Sequence, residues 1–252
     1  NKGTDLNILE GDEYTAWTEI REHIKYLELR EYELDTYTGD TYFGNMHKVE
    51  KLELPQKGMT VGNGVNRMYF ANADNLKEIT IWDAKQNRSV DITEYAGPVL
   101  QNSVGEYMFS NCYNLSTKYI NRLIRDVTEI KDYAFKVDPD NRKNFHDDAD
   151  HSMAIDIPSS VTKIGNQAFY NRVKVTGLNI QGNSGGLEIG SEAFRGCEQL
   201  NALNLNNAKI TSLGTGVFGD CRSMTNEFVN GVLENYAANA NGEIKKIPAY
   251  LF

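Results

Sequence analysis

The sequence predicts an α/β solenoid: a right-handed stack of about eight repeats, each built from short parallel strands and a 3₁₀ or single helical turn, mostly β and loop. Three observations carry this. Phe recurs in one local context, small residues recur at fixed offsets from it, and alternating aliphatic pairs follow it.

The Phe residues stand at 43, 70, 109, 135, 145, 169, 194, 218, 228 and 252, and all but Phe145 and Phe228 share that context. The clearest unit runs from Leu187 to Leu205 and reads I-G-x-x-A-F-x-x-C-x-x-L-x-x-L-x-L. Five residues before the Phe come Val65, Val104, Ile130, Ile164, Ile189, Leu213 and Ile247. Four before it, Gly39, Gly105, Gly165, Gly190 and Gly214 suggest a turn that accepts positive φ. Three after it come Met46, Ala73, Cys112, Cys197 and Cys221; nine and eleven after it come Leu52/Leu54, Ile79/Ile81, Leu178/Ile180 and Leu203/Leu205. An aliphatic pair at period two is a short strand whose middle residue points away from the core. The spacing of three around the Phe suits a 3₁₀ or single α turn. The V-x-x-I piece, as in Val161–Ile164, reads as a second short strand. One unit cannot bury its own apolar side, but stacking at about 4.8 Å joins the strands into parallel sheets.

The Phe-to-Phe intervals are 27, 39, 26, 34, 25, 24 and 34. The short ones fall in the range of leucine-rich repeats. The long ones read as a repeat plus inserted residues, placed in turns between stacked elements. Ile155–Phe169 resembles the repeat of the BspA-like (Treponema pallidum-type) bacterial leucine-rich repeat family, and Leu52-Glu53-Leu54-Pro55 repeats its L-x-L-P piece. The resemblance covers residues 38–252, one continuous repeat domain. Residues 1–37 resemble the leading edge of Bacteroides-type members, with a first strand at Tyr26-Leu27-Glu28-Leu29.

Four features depart from the pattern. Arg172 occupies a Cys column. Lys118/Ile120 and Glu227/Val229 are poor L-x-L strands. Residues 136–153 form a polar excursion. Leu251-Phe252 stand at the A-F position, where a truncated or continuing chain is expected.

Composition limits function. The chain has 252 residues, a net charge of −9 and only three Cys. It contains no apolar run long enough to span a bilayer. Its acidity argues against a nucleic-acid partner, which needs a basic face. Residues 1–60 hold 7 basic and 13 acidic side chains, which suggests either a soluble cap or a face selecting a basic partner.

Several constellations imitate chemistry. Gly182-Asn183-Ser184-Gly185-Gly186 resembles a serine-protease motif but lacks a matching His, and it reads as an inter-repeat turn. His146-Asp147-Asp148-Ala149-Asp150-His151, with Asp138 and Asp140, reads as a solvated acidic loop; Ca²⁺ or Zn²⁺ is the alternative. Cys112, Cys197 and Cys221 share one column and read as reduced packing residues, with a Cys197–Cys221 disulfide left open. His23 and His47 have no partner pattern. No catalytic, cofactor or metal set emerges.

The functional reading is therefore a non-enzymatic interaction module. The strand-centre residues Glu53, Thr80, Tyr119, Asp156, Asn179 and Asn204 would form a ladder on the sheet face for an extended protein surface. The resemblance implies an exported, cell-surface protein, often a lipoprotein of Bacteroidetes, adhering to host matrix proteins or neighbouring cells. A structural spacer displaying another domain is one alternative. A glycan binder using Tyr32, Tyr37 and Tyr42 is another.

Overall fold

The computed structural model describes residues 20–30, 43–56, 58–60, 69–140, 153–182, 185–239 and 246–252. In chain order the elements are β1 (Tyr26–Glu28), β2 (Lys51–Leu54), β3 (Met59–Thr60), β4 (Glu78–Asp83), β5 (Arg88–Asp91), β6 (Leu100–Val104), α1 (Thr117–Ile124), β7 (Val127–Ile130), β8 (Ala154–Ile157), β9 (Lys163–Ile164), β10 (Gly177–Gln181), β11 (Leu187–Ile189), β12 (Ala202–Asn206), β13 (Ile210–Leu213) and α2 (Asn226–Ala238).

A regular coil enters through a V-x-x-I strand, turns at its Phe and leaves through an L-x-L strand. Thus β9 leads through Phe169 to β10, and β11 leads through Phe194 to β12. The V-x-x-I strands form one parallel spine, ordered β13-β11-β9-β7-β6-β3. The L-x-L strands fall into two sheets, β1-β2-β4-β5 and β12-β10-β8. The aliphatic pairs sit in register: Leu178 faces Ile155 and Leu203, and Ile180 faces Ile157 and Leu205.

The core is a column of Phe rings running through the stack. Successive centroids from Phe43 through Phe70, Phe109, Phe135, Phe169, Phe194, Phe218 to Phe252 lie 5.1–6.2 Å apart, with the rings nearly parallel. Each such pair adds about 0.5–1.5 kcal/mol to the gain from burial. Phe228, outside the repeat context, packs edge-on against Phe218 at 5.3 Å from α2. Phe145 lies outside the described residues.

The glycine column needs a different explanation from the one its sequence suggests. Gly105, Gly165, Gly190 and Gly214 do not have positive φ. A Cβ on Gly190 would stand 2.7 Å from the Asn166 nitrogen, and one on Gly214 would meet the Ser191 backbone. At Gly165, Gly190 and Gly214 the missing side chain lets adjacent coils touch. The left-handed turns fall two residues before and two after the Phe. Asn45, Asn72, Asn111 and Asn171 take the later position, at φ 58–61°. Asn tolerates that conformation better than other side chains. It also links coils: Asn72 donates to Asn45 at 2.6 Å and Asn111 to Asn72 at 2.8 Å.

Two of the long intervals are identified. The 39-residue interval holds the β4–β5 hairpin, which pairs antiparallel from Thr80/Asp91 to Asp83/Arg88. The last 34-residue interval holds α2. Both poor L-x-L strands are helical. In α1, the buried Ile120, Leu123 and Ile124 follow helical spacing. In α2, Phe228 and Val232 do so, and the N-cap Thr225 side chain accepts from the Phe228 nitrogen at 3.1 Å.

All three Cys are free and buried, so no Cys197–Cys221 bond exists in this structure. Each thiol donates to the carbonyl of the preceding coil's Phe: Cys112 to Phe70, Cys197 to Phe169 and Cys221 to Phe194. Arg172 makes the equivalent bond from its Nε to the Phe135 carbonyl at 2.7 Å. Its longer side chain continues to the carbonyls of Cys112 and Leu115 one coil further back. Its guanidinium reaches the Leu115 carbonyl and adds a second donor to the Cys112 carbonyl, which already accepts from the Leu115 nitrogen.

Candidate functional site

The structure splits the predicted ladder into two groups. Glu53, Thr80 and Tyr119 are buried. Asp156 and Asn204 are exposed, and Asn179 lies half-buried between them.

Glu53 and Thr80 do point away from the core, as strand-centre residues should, and they pair in register. They are roofed by polar neighbours on the same face. The Tyr26 hydroxyl donates to Glu53 at 2.8 Å, Arg30 Nε at 2.7 Å and the Ser89 hydroxyl at 2.6 Å. The Arg30 guanidinium also stacks over Trp82, 3.8 Å from the ring centre. Burial alone would raise the Glu53 pKa, but the bonds from Arg30, Ser89 and Tyr26 outweigh it and hold the carboxyl below its ordinary value. Burial and the same carboxylate push the Tyr26 phenol up. Ser89 comes from the hairpin, which no strand pattern had placed over β2.

Tyr119 is not on a strand. It sits in α1, and its hydroxyl donates to Asp91 of β5 at 2.6 Å. Helix α1 thus stands in the L-x-L row between β5 and β8, and the spine continues unbroken behind it.

The second group is a connected surface. Asp156 faces Asn179, which faces Asn204, across three parallel strands. Asn179 donates to the Asp156 carboxylate at 2.7 Å. Asn121, on α1, donates to the same carboxylate at 3.1 Å and so extends the row by one residue. Sequence reasoning missed Asn121, because the strand pattern around Lys118 and Ile120 gave that residue no outward position. Beside the row, a cleft of about 440 Å³ opens between α1 and β8. Thr93, Lys118, Arg125, Pro158 and Gln181 line it. The cleft is shallow and open, unlike the deep enclosed pocket of a small-molecule enzyme.

Ser184 and His146 to His151 lie outside the described residues, as do Tyr32, Tyr37 and Tyr42. Among the described residues no group of three His, Cys, Asp or Glu is arranged to hold a metal. His47 pairs with Asp74 at 2.6 Å. No helix among the described residues is long and apolar enough to cross a membrane.

This fold and face define a leucine-rich repeat solenoid with a polar outer sheet. The chain belongs to the BspA-type leucine-rich repeat family. That family's sequence profile, the BspA type Leucine rich repeat region, matches in six copies over residues 23–138 and 141–247. The profile counts six copies, whereas the Phe column has eight members. The chain is similar to the Treponema pallidum leucine rich repeat protein at 17% identity, over 84% of this chain and 79% of that one, with a TM-score of 0.47. It is similar to a leucine rich cell surface protein of Faecalibacterium prausnitzii at 16% identity, over 80% of this chain and 46% of that one, with a TM-score of 0.49. A leucine-rich repeat protein of Bacteroides ovatus matches at 16% identity, over 79% of this chain and 73% of that one, with a TM-score of 0.22. No curated protein matches the chain.

Proposed function

We propose that the chain is a non-enzymatic protein-interaction module whose contact surface is the exposed row Asp156–Asn179–Asn204 with its neighbouring cleft. The observation that carries this is the row itself: polar side chains at strand spacing, held on a rigid parallel sheet and open to solvent. A rigid scaffold lowers the ordering cost of binding an extended partner surface. Glu53, Thr80 and Tyr119, being buried, support the neighbouring sheet instead of touching the partner. Lys118 is exposed at the rim of the cleft and favours a partner carboxylate there, while Arg125 beside it is held by Asp126 at 3.0 Å.

The wider reading is adhesion at a bacterial cell surface, to a host matrix protein or a neighbouring cell. Family membership supports it. Residues 1–37 are read as the leading edge and residues 38–252 as one repeat domain, in keeping with the parallel pairing of β1 with β2.

Immobilised host matrix proteins titrated with the chain by surface plasmon resonance test the proposal. Asn179→Arg and Asn204→Arg together should abolish binding at unchanged thermal stability. Binding that survives both changes moves the contact surface elsewhere. Glu53 is unsuitable as a control, since reversing its charge would strand Arg30 and unfold the roof.

A further inference from the structure

We propose that the chain carries a second binding site, a slot for one neutral pyranose ring, on its turn side between Glu192, Arg195 and Tyr250. Two residues before each Phe the backbone is left-handed in every described coil from Phe109 onward: Tyr107 (φ 55°), Tyr133 (60°), Gln167 (53°), Glu192 (55°), Gly216 (63°) and Tyr250 (53°). Side chains at this position form a column along the stack. Tyr107 and Tyr133 stack with centroids 4.3 Å apart, and Gln167 donates to Glu192 at 2.6 Å. A second column, one residue after the Phe, carries Lys136, Tyr170 and Arg195. In the Phe218 coil both positions are glycine, Gly216 and Gly219.

The result is a gap of about 370 Å³ with Glu192 and Arg195 on one side and Tyr250 on the other. The glycine at 216 is not required by geometry. Five other residues hold the same φ with side chains, and a Cβ at 216 would meet nothing nearer than 3.5 Å. The empty volume is therefore a feature in its own right, unlike the tight coil contacts at Gly190 and Gly214.

The walls indicate the occupant. Tyr250 lines the gap on the side of Gly216, which carries no side chain to stack on it, in a column where the equivalent Tyr107 and Tyr133 stack. Across the gap, Arg195 bonds both Glu192, at 2.5 Å, and Asp220, at 2.9 Å, which fixes three planar polar groups in place. Thr215 lies beside them. A sugar ring suits this combination: its C–H face packs on the phenol ring, and its hydroxyls act as donors to carboxylates and acceptors from guanidinium. A partner's aromatic side chain would cover the same polar groups without pairing them, at a cost. One cation against two carboxylates disfavours an acidic sugar.

Saturation-transfer difference NMR of the whole chain with the methyl glycosides of glucose, galactose, mannose and N-acetylglucosamine tests the slot. At least one should receive saturation, with an affinity of about 1 mM, typical of one exposed ring site. Gly216→Tyr should fill the slot and remove the signal. It should still fold, with a modest loss of stability for a side chain at positive φ, since the same column holds Tyr107, Tyr133 and Tyr250 at that φ. Tyr250→Ala removes the aromatic wall and should cut the signal at least about fivefold. The slot is refuted by no transfer to any glycoside, by a signal unchanged in either variant, or by N-acetyltyrosinamide binding where no glycoside does.

Discussion

Asn121 and Asn235 make the same pair of hydrogen bonds from two different helices. Asn121 Nδ2 donates to the Ala154 carbonyl, and Asn121 Oδ1 accepts from the Asp156 nitrogen, both at 3.0 Å. Asn235 Nδ2 donates to the Ala208 carbonyl at 2.8 Å, and its Oδ1 accepts from the Ile210 nitrogen at 2.9 Å. Each carboxamide spans residues i and i+2 of a chain segment, offering the donor and acceptor that a neighbouring strand's backbone would supply. Where a helix replaces a strand, the exposed edge is therefore satisfied, and one route to edge-to-edge association is closed. Pro158 follows β8 directly and withholds a further N–H.

Asn121→Leu should cost about 1–2 kcal/mol, from two lost bonds and a bared edge. It should also produce a concentration-dependent dimer. Urea melts and light scattering measure both effects, and a monomer of wild-type stability would remove the capping role.

Arg172 is a buried cation that donates to the backbone carbonyls of Phe135, Cys112 and Leu115. Burial pushes its pKa down, to about 10, the clearest sign of its dry surroundings. Arg172→Met removes the side-chain donors to the Phe135 and Leu115 carbonyls and should destabilise by about 3 kcal/mol. Arg172→Cys restores only the thiol bond to Phe135 and should fall between wild type and Met. Chemical denaturation of the three proteins orders them.

Glu53 makes stability fall in acid. Its folded pKa lies below its ordinary 4.5, so its contribution is fully present above that value. It is lost as pH falls from about 4.5 through the folded value. Glu53→Gln should lower stability at neutral pH by about 1–3 kcal/mol, since charge-assisted bonds become neutral ones. The gap between variant and wild type should then narrow at pH 3. A constant gap in pH-dependent melts would place the acid sensitivity elsewhere.

The thiols should be inert. Burial pushes Cys112 and Cys221 up to about 12, and Cys197 is fully buried beside them in the column. Ellman's reagent at pH 8 should label none in the native protein and all three after denaturation. Fast native labelling would mean that the column opens.

The sequence alone determined the repeat. Phe194, Cys197, Leu200 and Leu203/Leu205 recur because every coil buries the same side against its neighbours, and a periodic core writes a periodic sequence. It also marked where the pattern weakens, at Lys118/Ile120, Glu227/Val229 and Arg172. Only the tertiary structure decided what those weak places become: two helices, each with an Asn side chain standing in for a strand, and a guanidinium replacing a thiol. It also decided which outward residues meet solvent. Alternation gives the face of a strand but not what lies over it. Glu53 and Asp156 are indistinguishable by period. Glu53 is roofed by Ser89 from a distant hairpin and by Arg30 from another coil, whereas Asp156 stays open. Exposure depends on contacts between residues far apart in the chain, and a local pattern carries no record of them.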